Sequence, residues 1–227
     1  MIPIVKGKEP AALTKAKRVI RNTPDTTFNY TALRGENKRE VLEALLAEQG
    51  HLCAYCTCRI GVGDHPATIE HLIPQNPKDS AANGELSLDY HNLVAVCDGR
   101  GGATCDKRRG NESLTVNPTR PYTLDSIFYH RDGRIDAVDA GVRRDLEVTL
   151  GLNASGTNLC GNRYKSMEAI EKSIDRAIKR RGAEDNRAVK KAICAKVLKL
   201  FENQVDMKEE YLGAKLYKAR KLFSKFA

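Results

Sequence analysis

Five of the chain's seven cysteines, Cys53, Cys56, Cys58, Cys97 and Cys105, fall in one stretch that is rich in Gly, Asn and Asp and has only short apolar runs. Such a stretch cannot build a large core alone, so it gains from being stapled by a metal ion. Cys53-x2-Cys56 has the knuckle spacing that puts two sulfurs on one tetrahedral Zn²⁺. Cys97-x7-Cys105 is wider, but the glycine-rich run between can fold back and bring both ends to the same ion. A closed four-cysteine site has no open coordination position, so it would hold the fold rather than do chemistry. Cys58 is a spare thiol beside the knuckle and receives no role. Cys160 and Cys194 stand alone and read as buried small hydrophobes.

A disulfide framework is not expected. The N-terminus lacks the apolar core of a signal peptide and no apolar run approaches a membrane span, so the expected location is cytoplasmic, where thiols stay reduced. A redox role for Cys53-x2-Cys56 would need a βαβ context that the flanking sequence does not offer.

Charge divides the chain. Residues 161–227 hold 18 basic and 9 acidic side chains, whereas the 20 basic and 20 acidic side chains of the rest cancel. The whole excess of +9 therefore sits in the C-terminal third, either as a surface for polyanions or as a solvated helical face.

Along the chain, residues 1–50 read as an N-terminal arm with a short helix over Ala11–Val19 and a second over Glu36–Gln49, which Gly50 would cap. Residues 51–125 form the cysteine-rich unit, with short strands at Cys58–Ile60 and Ala67–His71, an apolar segment at Tyr90–Cys97 and a short helix from Asp106 to Gly110. In residues 126–227, Ser126–Tyr129 and Arg134–Val138 flank Asp132-Gly133, a strong hairpin signal. Three apolar stripes follow, Met167/Ile170/Ile174/Ile178, Val189/Ile193/Val197/Leu200 and Leu212/Leu216/Phe223, each the packing face of a helix. The expected class is α+β and mostly helical.

Between the cysteine pairs lie Glu70-His71 and His91-Asn92, and Asp106 follows Cys105 directly. These are the residue types that phosphodiester hydrolysis calls for. A neutral imidazole takes a proton from water near pH 7, carboxylates hold a hard divalent cation, and an amide fixes an imidazole's orientation. Other jobs remain open: Asp106 as a helix N-cap, and His91 in place of Asn92. His51, His65 and His130 read as surface residues.

The ordered set Cys53-x2-Cys56, Glu70-His71-x2-Pro74, Asn92-Leu93, Cys97 and Cys105-Asp106-x2-Arg109-Gly110 resembles the HNH endonucleases that carry a structural zinc. Over about residues 1–120 it is similar to the HNH subunit of Septu-type and retron-associated anti-phage defence systems, through Met1-Ile2-Pro3-Ile4, Glu48-Gln49-Gly50, Ile69–Gln75 and Leu88–Leu93. The resemblance implies a ββα-metal core with zinc on Cys53, Cys56, Cys97 and Cys105. His71 would be the general base and Asn92 its orienting residue. Glu70 and Asp106 would hold one Mg²⁺ or Mn²⁺. Arg109 would stand where the family's lysine meets phosphate, with Lys107 and Arg108 beside it on the nucleic acid. It also implies a DNA or RNA substrate and an ABC/SMC-like ATPase as controlling partner. The chain departs from the family in having Asp106 where His or Asn is usual, Glu70 for Asp, and a stretched final cysteine pair. Without catalysis, the same residues would make a zinc module that binds nucleic acid or protein.

Overall fold

A computed structural model describes residues 1–78, 83–99 and 101–226; Arg100, inside the glycine-rich loop, lies outside the described residues. The class is mixed and mainly helical, with two small antiparallel sheets among the described residues.

Helix α1 spans Ala11–Asn22 and α2 spans Gly35–Gln49. Leu13, Ala16 and Ile20 of α1 and Val41, Leu45 and Leu46 of α2 lie on buried faces of one apolar cluster, the i, i+3/i+4 recurrence of an amphipathic helix. Gly50 ends α2 in the left-handed conformation, at φ 63°, and its N–H returns to the carbonyls of Leu46 and Ala47. A side chain there would strain the backbone and strike Lys208. The reversal delivers Cys53 into the core beside the sheet. Gln49, buried at the end of α2, braces this junction: its Nε2 donates to the carbonyls of Leu52 and Ala95, both at 2.8 Å, and its Oε1 accepts from Ala95 N.

Strand β1 (Ala67–His71) pairs antiparallel with β2 (Leu93–Cys97), placing His71 opposite Leu93 and Ala67 opposite Cys97. Every residue of β2 is buried, which fits its unbroken Leu-Val-Ala-Val run. Between the strands lie the short helix α3 (Gly84–Ser87) and a 3-10 turn at Tyr90–Asn92. After β2 comes helix α4 (Cys105–Arg109), terminated at Gly110. Cys58–Ile60 is not a strand; an isolated antiparallel bridge joins Leu52 to Arg59 across the turn.

The hairpin forms as β3 (Ile127–Tyr129) and β4 (Ile135–Ala137), shorter than the sequence signal. Helix α5 (Ala140–Arg144) runs into a π-helical turn at Asp145–Thr149, followed by α6 (Leu159–Arg180), α7 (Arg187–Glu202) and α8 (Leu212–Lys225). The stripe of α6 is buried throughout, but that of α7 stops short: Leu200 is 61% exposed. Tyr129, Ile135, Leu146 and Met167 share one apolar cluster with Cys53, Tyr55 and Val94, so the cysteine-rich unit packs directly against the hairpin and α6. Cys194 is buried as expected, whereas Cys160 is only half-buried, its sulfur facing the Asn153 side chain. None of the described helices is long and apolar enough to cross a membrane.

Candidate active site and metal centre

The turn Cys53–Cys58 is closed by Cys53 N–H to Cys58 O (2.9 Å) and Thr57 N–H to Cys53 O (3.0 Å), with Thr57 at φ 59°. It aims the sulfurs of Cys53 and Cys56 at Cys97, the last residue of β2, and Cys105, the first of α4. All four are buried and their sulfurs lie within 4.8 Å of one another. Cys53 to Cys105 and Cys56 to Cys97 are each 3.9 Å apart. Four sulfurs at zinc–thiolate distance from one tetrahedral ion stand roughly 3.8 Å apart. The two closest of these separations match that spacing, so the set could hold one Zn²⁺. Cys58 lies 3.2 Å from the Cys56 sulfur but outside the mutually close four.

His71 is buried at the end of β1. Its Nε2 stands 2.9 Å from the carbonyl oxygen of Ser87, the last residue of α3. A carbonyl only accepts, so Nε2 carries the proton and Nδ1 keeps its lone pair. Burial, foremost, pulls the imidazole's pKa below its ordinary value and favours the neutral ring. The ring of Tyr30 packs edge-on against it at 4.6 Å, and Tyr30 N–H donates to the Ser87 hydroxyl. Ser87 thus binds both walls of the imidazole pocket.

Asn92 does not touch His71. Its Oδ1 accepts from Ile73 N (2.7 Å), and its Nδ2 donates to the carbonyls of Ile73 and Leu86, both at 3.0 Å. It ties the segment after His71 to α3, and so fixes His71 indirectly through the neighbouring Ser87 carbonyl. His91 is exposed, 3.5 Å from Asp89, on the outer side of the same turn.

Glu70 is buried with its carboxylate on Arg109 Nη1 at 2.5 Å. Burial pushes its carboxyl up to about 7; the adjoining carboxylate of Asp106 adds to the rise and Arg109 opposes it. Asp106 is half-buried in the first turn of α4 and is not the cap, since the N-cap position belongs to Thr104. Two carboxylates at close quarters, one of them deeply buried, repel unless a proton or a cation stands with them. The donor set suits a hard divalent ion completed by water or phosphate oxygens.

Arg109 was expected at phosphate. The structure gives its guanidinium another occupation: at 2% exposure, it donates to Glu70, to Tyr55 OH (3.0 Å), to the carbonyls of His71 and Leu72 (both 2.7 Å) and, through Nε, to Glu112 O (2.8 Å). The side chain is fully buried and presents nothing to solvent. Arg108 lies along the 148–151 segment, with Nε on Val148 O, and Lys107 is exposed. Sequence reasoning missed Tyr30, Ser87, Gln49 and Tyr55, which act through backbone contacts or from distant segments and leave no spacing signal.

No family model matches the chain. It is 26% identical over 171 residues, 66% of this chain and 80% of the relative, to a protein of Vibrio cholerae serotype O1 biovar El Tor named "Retron Vc95 putative HNH endonuclease". That likeness supports the HNH endonuclease family and nuclease activity in general terms.

Proposed function

We propose that the chain is a metal-dependent endonuclease of the HNH type, and that it hydrolyses phosphodiester bonds of DNA by default, with RNA such as tRNA as the other candidate. The observation that carries this reading is a neutral imidazole, held through Nε2 by Ser87 and within the electrostatic reach of Asp106, the aspartate that also stands next to the Glu70 carboxylate. The order of β1, β2 and α4 supports the reading of a ββα-metal core, for which zinc on Cys53, Cys56, Cys97 and Cys105 would be the staple.

In this mechanism His71 Nδ1 takes a proton from water, whose oxygen bonds to phosphorus as the bond from phosphorus to the leaving oxygen breaks. Glu70 and Asp106 would hold a Mg²⁺ or Mn²⁺ ion, which supplies charge neutralisation at the phosphate when bound. Asn92 keeps the loop that carries His71 on α3. Arg109 holds Glu70 and the backbone of residues 71 and 72 in place from behind. Lys107, exposed on α4, is the residue of that helix free to meet the backbone of the nucleic acid.

The relative's retron name motivates the wider setting, an effector in an anti-phage defence complex restrained by an ABC/SMC-like ATPase. The basic helices α6–α8 would then serve as the docking surface or as a clamp on nucleic acid. A second reading, a non-catalytic zinc module, draws on the Arg109–Glu70 contact, which occupies a carboxylate that catalysis would use. Incubating the purified chain, alone and with the ATPase encoded beside it, with DNA and total RNA in Mg²⁺ tests the proposal. Cleavage of either polymer supports it, and intact polymers in every mixture contradict it.

A further inference from the structure

On the Tyr30 side of the His71 imidazole lies a cleft of about 530 Å³ that the sequence motifs do not include. Its walls are Tyr30 and the 3-10 turn that follows, the start of α2 with Arg34 and Lys38, and Gln75, four residues beyond His71. Tyr30 is common to the cleft and the site, since its ring packs on the His71 imidazole.

The charge in this cleft is unbalanced. Arg34 and Lys38 are both exposed, and neither has a carboxylate partner among the described residues. Of the acids on the same helix, Glu36 and Glu43 pair with Arg39 and Glu48 pairs with Lys6, while Glu40 is exposed and does not line the cleft. Arg34 is the extended N-cap residue of α2 and Lys38 lies just inside that helix, and cations at a helix N-terminus are disfavoured by its dipole. Lys38 sits over the Tyr30 ring at 5.0 Å, so the ring supports the ammonium group beside the imidazole. Its charge is felt at His71.

We infer that Arg34 and Lys38 form the track along which the nucleic-acid backbone enters the site, binding phosphates next to the one His71 attacks. The inference rests on the nuclease reading for its ligand, a polyanionic backbone. It places the substrate contact on the N-terminal arm, whereas the motif had placed it on α4. It also explains why a segment so far from the cysteine cluster in sequence is anchored, through Tyr30 and Ser87, to the carbonyl that holds His71.

The test is equilibrium binding of the His71→Ala chain to fluorescein-labelled oligonucleotides of one sequence, as single-stranded DNA, duplex DNA and single-stranded RNA, across a salt series. Arg34→Glu with Lys38→Glu should weaken binding of the preferred probe on the order of tenfold or more, and lower the salt slope by about two. Lys15→Glu with Arg18→Glu makes the same change in net charge on the exposed face of α1, outside the cleft, and should leave affinity nearly unchanged. The Arg34/Lys38 pair gives up only the exposed contact of Lys38 with the Tyr30 ring, and the α1 pair has no ion pair or side-chain hydrogen bond among the described residues, so both should melt close to the parent. Unchanged binding by the Arg34/Lys38 variant, an equal loss in the α1 variant, or no binding of any probe by the parent would overturn the inference. Cleavage by the unsubstituted chain is scored separately. If it is abolished by His71→Ala but untouched by the Arg34/Lys38 pair, the track is wrong and the nuclease reading stands. If no nucleic acid is ever cut while the pair still loses binding, the activity is wrong and the track stands.

Discussion

Arg109, the last residue of α4, donates to the carboxylate of Glu70 at 2.5 Å across the space between helix and strand, and the same guanidinium takes the carbonyls of His71 and Leu72. One side chain therefore sets both the acid and the backbone of the proposed base. The pair is deeply buried, so its value lies in position: removing one partner leaves an uncompensated charge and unsatisfied carbonyls.

Arg109→Ala should cost about 3–5 kcal/mol of stability, read by denaturant unfolding. Lys107→Ala, two residues earlier and exposed, should stay within about 0.5 kcal/mol. Equal effects of the two would contradict the burial of the guanidinium.

Zinc content separates the five clustered thiols. Cys53→Ser, or dialysis against a strong chelator, should remove the metal and cause loss of soluble folded protein, because the stretch has little core of its own. Cys58→Ser should retain about one zinc per chain by elemental analysis, since its sulfur lies outside the mutually close four. A metal-free but normally folded Cys53→Ser protein would remove the staple from the account.

Asn92→Ala breaks three hydrogen bonds to the backbone at Ile73 and Leu86. Leaving those groups unpaired should cost about 1–3 kcal/mol. A displaced His71 loop should lower cleavage on the order of a hundredfold. His91→Ala, on the exposed side of the same turn, should keep both stability and rate. The reverse ranking would move the site to His91.

Gly133 stands at φ 86° in the hairpin turn, with the backbone of Cys160 and Tyr164 against its Cα and its carbonyl accepting from Arg163. Gly133→Ala combines strain with overlap and should destabilise the chain by at least about 2 kcal/mol. A melting temperature equal to the parent's would show that the hairpin does not seat on α6 in this way.

Where a feature depended on near neighbours, it was legible in the sequence. The Cys-x2-Cys turn, the strand that ends in Glu70-His71, the Gly50 stop and the Asp132-Gly133 hairpin all follow from local spacing and conformational preference, and the structure contains each of them. Features that depend on what lies opposite were not legible. Arg109 reads as one of three consecutive cations, and only the fold turns it inward while Lys107 stays outside. Ser87 holds His71 through a backbone carbonyl, which no residue type announces. Tyr30 and Lys38 reach the site from a segment with no motif. Leu200 continues a helical stripe but is exposed, while its neighbour Phe201 takes the buried position instead.

The most direct measurement is cleavage by His71→Ala, and by the more conservative His71→Gln, assayed beside zinc content and melting temperature and in the presence of the ATPase if the parent requires it. With His71 as general base, both variants should lose about a hundred- to ten-thousandfold in rate while keeping their zinc and their fold. Cleavage at the parent's rate by a folded, zinc-loaded His71→Ala chain would contradict the account.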